Sequence, residues 1–268
     1  MSIRDRIMAA DGQWLMGRVM PRDFLQGIGK YLHRVAPERE DELIAAIKNR
    51  AEELIEANED MVVDRPAEGM LGISAVVLAA FETLRPEFDG DERRTILFLQ
   101  HVFGTVLRRT FEVTFEWITS RENPLDDYEK AVRKERPMYG SYFEMPLERL
   151  DPGTFEMRVE RCFFHNFFSR HDARLVTTVL CAWDANTLGG IDPAVSGLRA
   201  ERTSLLSRRR RLPVPSPKDR RSLGQLRGRA RSAVHRRAGI RLRASLLSER
   251  PRTGRWMRRA SESPIEIL

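Results

Sequence analysis

The sequence predicts an α+β fold: a helical layer first, a smaller part mixing strand and helix after it, and a basic tail. Three observations carry this. Apolar residues recur at helical spacing through the first half, the period drops to two after Gly153, and the charge changes sign near residue 205. From Leu205 to Leu268 there are 18 Arg and one Lys against Asp219, Glu249, Glu262 and Glu266, a net charge of +15. Residues 1–204 hold 27 basic and 35 acidic residues, a net of −8. The overall charge of +7 and the pI near 9.9 therefore describe neither part. The expected organisation is one α+β domain over 1–206, helical over 1–135 and carrying the strands and helices of a site region over 150–206. The tail, 207–268, is expected to be disordered, because few apolar side chains and many like charges leave nothing to drive packing.

Taken in order, residues 1–36 read as one or two short helices with Trp14, Leu15, Phe24, Ile28 and Leu32 on the apolar side. Glu38–Asn58 follows as an amphipathic helix, with Leu43, Ile44, Ile47, Leu54 and Ile55 inward and Glu and Lys outward. Asp64-Arg65-Pro66 reads as a break, and an almost wholly apolar helix, Met70–Leu84, belongs at the buried centre. The Asp89-Gly90-Asp91 turn opens what reads as one long helix from Arg93 to about Ser120, ended by Asn123-Pro124. The aromatics Phe98, Phe103, Phe111 and Phe115, and His101 beside them, are expected in its core face. A short polar helix, Asp126–Lys134, leads to a Tyr/Phe-rich linker at 138–143. Phe155, Met157 and Val159 then alternate with Glu156, Arg158 and Glu160 as a half-buried strand. Phe163–Ser169 reads as helix, Leu175–Trp183 as helix or strand, and Leu198–Leu205 as a strand with an Arg/Glu face.

No apolar run approaches the ~18 residues a membrane span needs, so no membrane partner is expected. The N-terminus lacks a secretory layout, and two cysteines make no disulfide framework, which together point to a cytoplasmic setting. No phosphate loop, dinucleotide fingerprint or serine elbow is present.

The chemistry concentrates between Met157 and Thr203. Both cysteines, Cys162 and Cys181, lie there with His165 and His171. Free cysteines are commonly small buried residues; the functional alternative is a nucleophile or thiolate ligand, with Arg161 adjacent to Cys162 to lower a thiol pKa. His165 follows Cys162 by three residues, on the same face of a helix, as general base, ligand or hydrogen-bonded structural residue. Cys162, Cys181 and His165 are the three candidate ligands for a divalent metal such as zinc. Asp184, next to Trp183, reads as a helix cap or as a carboxylate that orients a base or grips a cation. Arg199 and Arg202 are candidates for binding a substrate carboxylate, though three residues apart on a strand they face opposite ways.

Four stretches, VERCFFHNFF (Val159–Phe168), VLCAWDAN (Val179–Asn186), IDP (Ile191–Pro193) and GLRAERTS (Gly197–Ser204), resemble the L-2-amino-thiazoline-4-carboxylic acid hydrolase family. DRPAEGMLGISAVVLAAFETLRP (Asp64–Pro86) extends the likeness, which covers roughly 40–205. The resemblance implies hydrolysis of a non-peptide C–N bond in a small cyclic amidine. On that reading Cys162, His165, Cys181 and Asp184 supply the catalytic groups, and Arg161, Trp183, Arg199 and Arg202 contact the substrate. Two rival readings are a non-catalytic small-molecule sensor on the same scaffold and nucleic-acid association through the arginine tail.

One departure from the family pattern stands out. After the GLR…ERT strand the family continues with a glycine pair, Asp, a third Cys and Arg-Phe, whereas this chain reads Arg208-Arg209-Arg210-Arg211-Leu212-Pro213-Val214. Codons exist for Ser207–Pro215 that, read one nucleotide later, encode Arg-Gly-Gly-Asp-Ala-Cys-Arg-Phe. The expectation is a shift of reading frame between about Ala200 and Ser207. The tail's single aromatic, Trp256, and its arginine excess agree with out-of-frame translation of GC-rich DNA.

Overall fold

The computed structural model describes residues 10–189, 198–203 and 238–244. Helix α1 spans residues 10–35, with a π turn at Leu15–Val19 and a regular part at Met20–Val35. Its buried side chains, Met16, Met20, Phe24, Ile28 and Leu32, come at four-residue steps and face the core as one stripe. Helix α2, Glu40–Glu56, buries Leu43, Ile47, Ala51 and Leu54 and opens with three acidic residues that suit the positive end of a helix dipole.

Helix α3, Arg65–Leu84, is the centre about which the others pack. Its start corrects the sequence reading. Asp64 is not a breaker but the N-cap, its carboxylate accepting from the Ala67 N–H at 2.9 Å, and Pro66 sits in the first turn, where no N–H is needed. By length and apolarity α3 would span a membrane, yet 78% of that stretch is buried within the protein. Where it crosses α1 the backbones nearly touch: a Cβ on Gly69 would lie 2.8 Å from the Gln13 carbonyl oxygen. The π turn of α1 lies at this crossing, with Gly17 against Gly69.

The helix expected over 93–120 is two helices, α4 (Glu92–Phe103) and α5 (Arg108–Thr119). Between them the chain bends at Gly104 and Leu107, which has φ 55°. The Val106 carbonyl accepts from the Trp183 indole N–H at 3.2 Å, a contact made across the fold that local sequence does not announce. His101, expected in the core, is exposed on α4. Phe103 is fully buried and Phe98 packs on Tyr31 and Phe88. The side chains of Phe111 and Phe115 lie outside the described residues.

Helix α6, Pro124–Glu135, is followed by a 3₁₀ turn at Arg136–Tyr139. Strands β1 (Leu147–Asp151) and β2 (Thr154–Val159) form an antiparallel hairpin around Pro152-Gly153. Phe155 of β2 packs with Tyr128, Ile118 and Leu125 in a small second core under α5 and α6. Helices α7 (Phe163–Arg170) and α8 (Thr177–Gly189) return to the main core, which resolves Leu175–Trp183 as largely helical.

Strand β3, Leu198–Thr203, and strand β4, Ala238–Ala244, complete an antiparallel sheet of order β1-β2-β4-β3. Thus one piece of the tail, expected to be disordered, lies between β2 and β3, and the boundary drawn at 206 does not enclose the whole sheet. In register, Leu242 pairs with Phe155 on one side and Ala200 on the other, and Arg241 with Glu156 and Glu201. Ser207–Pro215, on which the reading-frame expectation rests, and the rest of the arginine tail lie outside the described residues.

Candidate active site

The linker at 139–143 and the start of α7 form one aromatic assembly. Tyr142 meets Phe163 edge-on at 4.9 Å, Phe143 meets Phe164 at 5.6 Å, and Tyr139 meets Phe143 at 5.4 Å. Such pairs add to the apolar area they bury. The linker is held from below by Asp64, which accepts from the Ser141 N–H (2.6 Å) and hydroxyl (2.7 Å), and by Arg136, which donates to the Gly140 and Phe143 carbonyls. Gly140 is required there: it has φ +63°, and a Cβ would lie 2.5 Å from the Asp64 carboxylate. Asp64→Ala removes the α3 cap and both bonds to Ser141. A loss of about 1–3 kcal/mol in urea unfolding is expected.

Cys162 occupies the N-cap position of α7, with extended backbone (φ −122°, ψ 123°) and a half-buried side chain. A helix N-terminus offers its dipole and first free N–H groups to an anion, and the Cys162 side chain makes no cap hydrogen bond to them. His165, one turn on, is half-buried. Burial first, and then the positive charge of Arg174, push its pKa below the ordinary imidazole value. It is therefore neutral near pH 7 and able to take a proton. Arg174, just before α8, was not among the residues the sequence singled out.

Arg161 is committed elsewhere. It pairs with Glu144 at 3.1 Å, donates to the Ser141 carbonyl and lies over the Tyr142 ring at 5.4 Å. Its role in the structure is to fasten the linker to α7. Trp183, proposed to touch substrate, is half-buried and bonds Val106, joining α8 to the α4–α5 bend. Cys181 is a half-buried thiol on α8. Arg199 and Arg202 stand in register with Arg243 and Ile240 on β4. Their side chains, and that of Asp184, lie outside the described residues. His171 serves structure: its ring meets Asn58 at 3.3 Å and packs on Phe167, while Arg170 forks onto Asp60 at 2.7 and 2.8 Å. Among the described residues no three of His, Cys, Asp and Glu come together to hold a metal ion. The candidate ligands Cys162, Cys181 and His165 form no such group.

The fold defines an α+β protein in which Cys162 stands at the N-cap of the short helix that carries His165 one turn on. The model of the L-2-amino-thiazoline-4-carboxylic acid hydrolase family matches residues 71–208, just over half of the chain, and the chain belongs to that family. Comparison with curated proteins and with solved structures finds no match.

Proposed function

We propose that the protein hydrolyses a C–N bond of a small cyclic amidine of the thiazoline-carboxylate kind, with Cys162 as nucleophile and His165 as proton carrier. The observation that supports this most directly is Cys162 at the α7 N-cap with a neutral imidazole one turn away. The thiolate adds to the amidine carbon, and the ring C–N bond breaks as its nitrogen takes a proton and leaves as an amine. Water, deprotonated by His165, then displaces the thiolate, and the carbon departs as a carbonyl. The family name supports the substrate class.

The test is ring opening of 2-amino-2-thiazoline-4-carboxylate, followed by loss of substrate and appearance of amine. Because the folded His165 pKa is lowered, its base form persists below the usual ~6.5, and the acid limb of kcat is expected beneath that value. No turnover at any pH between about 5 and 9 sinks the proposal. A non-catalytic sensor is the second reading, favoured by the engagement of Arg161 with Glu144 instead of a ligand. It predicts thermal stabilisation by the same compound without product.

A further inference from the structure

Helices α5 and α6, closed by Pro137, border a groove of about 850 Å³ lined by none of Cys162, His165 and Cys181. One wall is Trp117, 60% exposed, with the Arg121 guanidinium 4.6 Å from its ring centroid. Arg121 is itself fixed by Asp127 at 2.8 Å. Ile118, Ala131 and Pro137 add apolar surface between the charged rims.

Glu135 also lines this groove, and its position is locally unfavourable for a carboxylate. It is the last residue of α6, where unsatisfied carbonyls and the negative end of the helix dipole repel an anion. Arg133 and Lys134 in the same turn suit that end; Glu135 does not. Among the described residues it makes no hydrogen bond or ion pair, since Arg133 is taken by Glu129 and Lys130 stands nearest Asp127. The residue is exposed, while burial around its carboxyl pushes the pKa upward and the charge of Lys134 opposes this. A side chain that breaks local rules with no structural return marks a place where something else completes the arrangement.

The charges name the chemistry. Four cations, Arg121, Lys130, Arg133 and Lys134, line the groove against Asp127 and Glu135. A simple organic cation would be repelled by the rim, and a simple anion would leave Glu135 unpaired. We propose that this groove binds a small zwitterion, a guanidino or amidino acid. Its planar protonated group meets Glu135, its stem lies on Trp117 and Ile118, and its carboxylate meets Lys130 and Lys134. The planar group offers two parallel N–H donors to one carboxylate, which a lone ammonium does not.

Calorimetric titration of the full chain with 4-guanidinobutyrate tests this, with butyrate and butylguanidine as controls lacking one charge each. The expected result is saturable binding of the zwitterion at millimolar concentration or tighter, with both controls weaker by at least about 10-fold. Glu135→Gln is expected to weaken binding by at least about 10-fold while leaving the circular dichroism melt in place, because no described residue depends on that carboxylate. Acidifying the solution from neutrality toward the carboxylate range weakens binding in the parent earlier than an ordinary glutamate would, and does not do so through this side chain in the Gln variant. Unchanged affinity in Glu135→Gln, equal binding of butyrate, or no saturation up to about 20 mM would overturn the proposal.

Discussion

Cys162→Ala is expected to reduce hydrolysis of the cyclic amidine by on the order of 10³-fold or more, since a nucleophile has no substitute within the site. Folding is expected to survive. Cys162 is half-buried, makes no side-chain cap bond, and alanine fits its place, so the stability change is expected to stay within about 1 kcal/mol. Cys181→Ala is the companion measurement. Cys181 lies on α8 and not at the α7 N-cap, so a smaller loss of turnover is expected. Single-turnover assays of both variants beside their melts separate chemistry from folding. Parent-like turnover in Cys162→Ala would remove the thiol from the mechanism and leave activation of water by His165 alone.

The largest expected effect on stability is that of Phe163→Ala. Phe163 is fully buried, the first residue of α7, and meets both Tyr142 and Phe164 edge-on. Truncation removes the transfer energy of a whole ring and leaves a cavity under an aromatic assembly whose other members are held by backbone bonds, so they cannot collapse into it. A cost of about 3–5 kcal/mol is expected in urea unfolding. The same change frees the linker from the start of α7, so turnover should fall as well, even in the fraction that remains folded. A loss below about 1 kcal/mol would show that the linker repacks freely and that the site is not pre-formed by it.

Much of the architecture was legible because its signals are local. The four-residue stripe of α1, the Leu43–Ile47–Leu54 face of α2, the apolar run of α3 and the alternation in β2 each stand in the order of the residues. The errors came where a local signal has two meanings. Asp64-Arg65-Pro66 carries breaker residues that are also those of a capped helix start, and the Asp64 hydrogen bonds decide between them. The bend between α4 and α5 has only Gly104 as a sequence sign, while what holds it, Trp183 on Val106, comes from much later in the chain. Strand β1 carries two outward charges and little apolar content, and it exists because β2 pairs with it.

For the candidate site the division is similar. That Cys162 and His165 lie one turn apart follows from a three-residue spacing once the segment is helical, so that much was readable. The absence of an assembled zinc set among the described residues, the engagement of Arg161 with Glu144 and Tyr142, and the arrival of Arg174 near His165 were not.

The sequence by itself therefore determined the α+β class, the family and the buried central helix, because these depend on periodicity and short motifs, which survive without a fold. Only the tertiary structure decided which charged side chains are spent on structure and which are left unpaired. Arg161 and Glu135 look alike as exposed charged residues in a sequence. One closes an ion pair at 3.1 Å across the linker, and the other ends a helix without closing an ion pair among the described residues. The strength of a charge depends on what stands a few ångströms away, and that distance is set by packing between segments far apart in the chain.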